Sequence, residues 1–137
     1  MHTNEFHHAI VWIDHQQARV FHFGPQGVQA TLVHSTHRHE HLHHKANSID
    51  SGKAPRDDAF LERVGAALAS SAAILVTGPA NAKRELMSYL EHKAPAVASC
   101  VVAVEPLDRP SDGQLEAFAR KYFHADERMR HRVEMSL

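Results

Sequence analysis

The sequence contains a single cysteine, Cys100. One thiol cannot close an internal disulfide, and thiolate zinc sites need at least two. A disulfide-stapled secreted scaffold and a zinc ribbon are thereby excluded. Long apolar runs are also missing, since none approaches the roughly 18 residues of a membrane helix. Met1 to His8 is polar and carries no apolar signal-peptide core. These absences predict a reducing, cytoplasmic setting and no membrane association. Neither sign of charge dominates: 15 Lys and Arg stand against 16 Asp and Glu, a formal net charge of -1 with the histidines neutral.

Histidine is the abundant residue, with 14 in 137. At an unperturbed pKa near 6.5, half of them protonate at about that pH and add about +7. The near-neutral charge therefore belongs to alkaline conditions and argues neither for nor against an anionic partner. Apolar residues make up 43% and charged residues 23%, an ordinary globular composition. The length fits one domain over 1–137, with a core over about 8–123.

The apolar pattern orders the elements. Ala9-Ile10-Val11-Trp12-Ile13 is a continuous run of strand length, as in a strand buried on both faces. After the break Asp14–Gln17, residues 18–23 are rich in β-formers. Gly24-Pro25-Gln26-Gly27 signals a turn, and 28–33 alternate as a half-exposed strand should. Three strands with short breaks predict an antiparallel meander. Residues 34–56 are almost devoid of apolar side chains and predict a long loop of functional or disordered type.

A helix is expected from Asp57 or Asp58, with Phe60, Leu61, Val64 and Leu68 on one stripe. Ala73 to Val76 is a short buried strand, and Pro79 is expected at the first position of a helix carrying Ala82, Leu86, Tyr89 and Leu90. Val97 to Val104 is the fifth predicted strand. Ser111-x-x-Gln114 is a capping box, so the last helix starts near Asp112, with Leu115, Phe118, Ala119 and Tyr122 inward. From His124 the chain is charged. The order β-β-β-α-β-α-β-α with right-handed crossovers predicts an α/β fold of ribonuclease H-like type. Its five-stranded mixed sheet runs 3-2-1-4-5, with helices packed on it.

Three segments then carry a resemblance. Ala9-Ile10-Val11-Trp12-Ile13-Asp14 with Ala18-Arg19-Val20-Phe21 forms a strand-Asp-turn-strand opening. Ile74-Leu75-Val76-Thr77-Gly78-Pro79 with Ala82-Lys83 and Leu86 is a strand that passes into a helix at a glycine. The third is the long loop after the third strand. Over about residues 8–123 the chain resembles the middle domain of class 1 release factors of eukaryotes and archaea and of Pelota. It looks closest to small bacterial proteins that share that domain. The resemblance implies docking on the ribosome or on tRNA.

Release factors of this family carry Gly-Gly-Gln at the tip of that loop to position a water against peptidyl-tRNA. This sequence contains no Gly-Gly-Gln. Peptidyl-tRNA hydrolysis is therefore not implied, and neither is stop-codon reading, whose domain has no counterpart here. The resemblance points to a binding module rather than an enzyme.

The loop holds His34, His37, His39, His41, His43 and His44. In an extended segment His37, His39, His41 and His43 share one face. Imidazoles so placed suit zinc, nickel or copper, zinc or nickel first, which leaves open a metal-binding protein or a metal-dependent enzyme that uses this loop. A His-rich tract is equally a compositional feature that binds metal opportunistically. Arg38, Lys45, Lys53 and Arg56 flank the histidines and are the candidate nucleic-acid contacts, able to hold phosphates. These readings stay open side by side. A further possibility is self-assembly, with strand 28–33 pairing between subunits as a homo-oligomer.

The remaining candidates read as structural. Asp14 sits where ribonuclease H-type nucleases hold a metal-binding acid. Such enzymes need further carboxylates at the same point. Glu62 lies on the first helix, and the fourth strand ends in Thr77 and Gly78. Asp14 is thus expected to cap the turn between strands. Gly78-Pro79 followed by Lys83 is not a phosphate loop. Cys100 reads as an inert core residue in a strand. Ser70, Ser71 and Ser99 lack a nucleophile context. Trp12 and Phe21 read as core.

Overall fold

The apolar run around Trp12 is the central strand of a five-stranded sheet. The computed structural model describes residues 8–36 and 56–135, with side chains described to 124. Its elements are β1 (His8–Ile13), β2 (Gln17–Gly24), β3 (Gly27–His34), α1 (Asp58–Leu68), β4 (Ala73–Gly78), α2 (Ala82–Lys93), α3 (Pro95–Ala98), β5 (Val101–Pro106) and α4 (Asp112–Met135). The sheet order is β3-β2-β1-β4-β5. β1 pairs antiparallel with β2 and parallel with β4, β2 pairs antiparallel with β3, and β4 pairs parallel with β5. This is the expected order 3-2-1-4-5 in a ribonuclease H-like α/β fold.

Alternation along β1 divides the core in two. Ala9, Val11 and Ile13 face α1 and α2, where they meet Phe60, Leu61, Val64, Leu68, Leu86 and Leu90. Ile10 and Trp12 face α4, where they meet Leu115, Ala119 and Phe123. Burial on both faces explains why β1 and β4 read as unbroken apolar runs. β3 is an edge strand, buried among its own residues only at Val33, with Leu32 54% exposed.

Local chemistry sets the helix starts. The Asp57 carboxylate accepts from the Phe60 amide at 3.0 Å, capping α1. At α4 the capping box closes both ways: Gln114 N donates to Ser111 Oγ at 3.1 Å, and Ser111 N donates to Gln114 Oε1 at 2.9 Å. Asp14 is the expected turn cap, its Oδ1 accepting from Gln16 N and Gln17 N at 2.8 and 2.9 Å. Trp12 and Phe21 lie in the core. Among the described residues no helix is long and apolar enough to cross a membrane.

Three expectations are corrected. The fifth strand starts at Val101, not Val97. Pro95 opens the short turn α3, in which the Val97 and Ala98 amides donate to the Ala94 carbonyl, so Val97 packs on the core from a helical turn. Cys100 is accordingly not in a strand. It is half-buried just before β5, its thiol 3.5 Å from the Ala96 carbonyl. Pro79 is not the first residue of a helix either. Gly78 and Ala80 both have positive φ, +148° and +51°, and the reversal delays α2 to Ala82 with Asn81 at its N-cap. The charged segment after His124 is continuous with α4 through Met135.

Candidate functional site

Strand directions put the described ends of the candidate segment at one rim of the sheet. β1, β4 and β5 are parallel, and β3 runs the same way because two antiparallel pairings separate it from β1. Their carboxyl ends therefore share one rim, where open α/β sheets place their ligands. The segment 36–56 leaves β3 and returns to α1 at this same rim.

Its two ends are tied together. Ser35 Oγ donates to Asp57 Oδ2 at 2.6 Å. Ser35 N donates to Gln16 O at 2.9 Å, extending the β2–β3 ladder by one bond. Arg63 on α1 reaches back to donate to the His34 carbonyl. One carboxylate, Asp57, thus caps the helix with one oxygen and clamps the loop base with the other. The described ends of the segment are thus tied by hydrogen bonds.

Beside the anchor, His15 Nε2 lies 3.5 Å from Glu85 Oε1 across the β1–α2 junction. Gly78 crosses here as well. A Cβ at Gly78 would stand 2.2 Å from the Ile13 carbonyl oxygen, so only glycine permits this approach of β4 to β1. Ala80 adopts a left-handed conformation without being glycine, and Lys83 Nζ donates to its carbonyl at 2.6 Å.

Of the candidate residues, Arg56 and His34 are described. Arg56 is exposed at the loop base, with Nε 2.7 Å from Asp58 Oδ1. That hydrogen bond, ahead of the charge attraction, holds the guanidinium pKa above its ordinary value. His34 ends β3 and accepts from Arg63 through its backbone. His37, His39, His41 and His43, with Arg38, Lys45 and Lys53, lie outside the described residues. Among the described residues no three His, Cys, Asp or Glu side chains gather into a metal-holding group.

Sequence reasoning missed two features. One is the Ser35–Asp57 tie, between residues 22 positions apart. A polar residue at each end of a stretch poor in apolar residues was its only trace. The other lies at the opposite rim, where His8, Phe23, Ala117, Arg120, Lys121, Phe123 and His124 line a cavity of about 620 Å³.

No protein-family model and no curated protein matches the chain. Solved structures do. Pelota of Archaeoglobus fulgidus superposes with a TM-score of 0.61 at 15% identity, over 96% of this chain and 37% of that one. Pelota of Thermoplasma acidophilum gives 0.56 at 22% identity, over 85% and 33%. The archaeal translation termination factor aRF1 gives 0.53 at 14% identity, over 94% and 41%. The chain spans about two fifths or less of the length of these proteins. In fold, this chain is similar to a domain-sized part of Pelota and of aRF1.

Proposed function

We propose that the protein is a ribosome- or tRNA-associated binding protein of the release-factor middle-domain type, without peptidyl-tRNA hydrolase chemistry. One observation carries this reading. The chain has the fold of a part of Pelota and of a translation termination factor, and the segment between Ser35 and Asp57, at the rim of the strands' carboxyl ends, is rich in His, Lys and Arg instead of holding Gly-Gly-Gln. Cationic side chains hold phosphates and position a protein on nucleic acid without chemistry. In this role Arg38, Lys45, Lys53 and Arg56 contact the phosphate backbone, and the histidines add charge as the pH falls through 6.5.

Co-sedimentation of the purified protein with ribosomes over a salt series tests the reading. The protein is expected in the ribosomal pellet at low salt, more at pH 6.5 than at pH 7.5, and released as salt rises. Absence from the pellet at low salt and pH 6.5 overturns it.

The spacing of His37, His39, His41 and His43 favours a second reading, in which the segment holds zinc or nickel. The exposed β3 edge with Leu32 outward supports a third, pairing between copies of the chain.

A further inference from the structure

The cavity at the other rim of the sheet is built from three elements. His8 opens β1, Phe23 stands near the end of β2, and Ala117, Arg120, Lys121, Phe123 and His124 lie along α4. The cavity is a wide-open hollow of about 620 Å³, large enough for a small molecule to lie in. Two kinds of group meet there. Two flat surfaces come from aromatic rings: His8 stacks on Phe123 with centroids 4.3 Å apart and planes 20° from parallel, and Phe23 lies under the Arg120 guanidinium at 5.3 Å. Positive charge comes from Arg120 and Lys121, and His8 and His124 add ring nitrogens. Among the described residues the lining includes no carboxylate, and the Glu116 carboxylate stands 3.8 Å from Arg120.

We propose that this cavity binds a nucleotide, an aromatic base carrying a phosphate. The Arg120 guanidinium lies 5.3 Å from the centre of the Phe23 ring, and its Nη2 stands 3.8 Å from Glu116 Oε1 one turn earlier on α4. Its planar guanidinium can stack on a base, and its N–H donors can take a phosphate in bidentate fashion. Lys121 supplies a second point charge beside it. A base stacks on such surfaces whatever its identity, because every base presents a π-face. A purely apolar ligand would leave the two cations unused, and a bare anion would leave the rings unused. The site is separate from the loop-bearing rim, and this inference goes beyond the ribosome-binding reading.

The test is an amide chemical-shift titration of the full chain at low salt and pH 7. The probes are 5′-AMP, adenosine, inorganic phosphate and a short oligoadenylate. AMP is expected to saturate, with shifts centred on residues 8, 23 and 117–124. Adenosine and phosphate alone should each bind about tenfold more weakly or less, since each keeps only half of the recognition. The pair Arg120→Gln and Lys121→Gln changes two exposed side chains and should weaken AMP about tenfold or more, while Lys93→Gln on α2 should leave it unchanged. Tighter binding of oligoadenylate than of AMP assigns the nucleotide to an RNA strand, and equal or weaker binding assigns it to the free pool. Either result supports the site. No saturable binding of AMP or oligoadenylate, equal binding of phosphate and AMP, or an unchanged affinity in the double variant overturns it. Ribosome co-sedimentation reads the loop rim independently, so failure of one proposal is distinguishable from failure of the other.

Discussion

Ser35 and Asp57 join the two ends of the long polar segment through a 2.6 Å hydrogen bond, and the same carboxylate caps α1. Removing it should loosen the loop base and the helix start together. Asp57→Ala is expected to cost about 1–2 kcal/mol, the usual loss for a helix cap. Asp57→Asn keeps an acceptor oxygen and should recover most of it. Urea unfolding of both variants checks this. A double-mutant cycle with Ser35→Ala should give a coupling of about 0.5 kcal/mol or more. Strict additivity would mean that the tie contributes nothing.

Two glycines should respond to the same substitution with opposite sign. At Gly78 a methyl group meets the Ile13 carbonyl at 2.2 Å with φ at +148°, and backbone cannot move aside cheaply. Gly78→Ala should cost about 3 kcal/mol or more, a severe loss in a chain of this size. Gly113, in the first turn of α4, has nothing within 4 Å of a new Cβ. There alanine should gain up to about 1 kcal/mol through helix propensity and a less flexible unfolded chain. Thermal melts of the two variants decide the matter, and equal shifts would refute it.

Arg19 holds the start of α4 against the sheet. Its two terminal nitrogens donate to Asp112 Oδ1 at 2.7 Å and Pro110 O at 2.9 Å, and its guanidinium lies 4.7 Å from the centre of the Trp12 ring. Nε is buried and finds no acceptor among the described residues. Arg19→Met should cost about 1–2 kcal/mol, the order expected for losing charge-assisted bonds while keeping the stem. Faster amide exchange in the first turn of α4 should accompany it. Arg19→Lys should not restore protection, because an ammonium cannot span both acceptors in one plane.

The metal reading makes its own prediction. Untagged protein should carry close to one equivalent of zinc or nickel, and replacing His37, His39, His41 and His43 with alanine should remove it. Elemental analysis of both forms reads this directly. Substoichiometric metal unaffected by the replacement would reduce the histidines to composition alone.

Much of the fold was legible because its signals are local. The run 9–13 needs no distant partner to be read as a doubly buried strand, and Ser111 with Gln114 marks a helix start within four residues. Right-handed crossover then leaves one sheet order for the strands found. What escaped depends on contacts across the chain. The apolar residues Val97 and Ala98 suit strand and helical turn equally, and Pro95 with the Ala94 carbonyl settles them as a turn. Ala80 has no sequence mark of its positive φ, since alanine is the wrong residue for it. Pro79 fitted a helix start by local preference, yet Gly78 must stay against Ile13, and that geometry pushes the helix on to Ala82. The candidate site was legible as a composition, a histidine-rich stretch. Its anchoring was not, because Ser35 and Asp57 look like ordinary loop and cap residues until the strand and helix bring them together. Arg120 and Phe23, nearly a hundred positions apart, carry no signature of a shared cavity.

The central strand also acts as a ruler. His8 stands at the cavity and Ile13 beside the loop rim, with five residue steps between them. At about 3.3 Å per step the two regions are held about 17 Å apart by one rigid backbone. A large assembly gripping one rim therefore need not cover the other. β1 is paired on both sides, so the distance between its own two ends is fixed. If both proposed sites are occupied, the body spaces what fills the cavity at a fixed distance from the tie between Ser35 and Asp57.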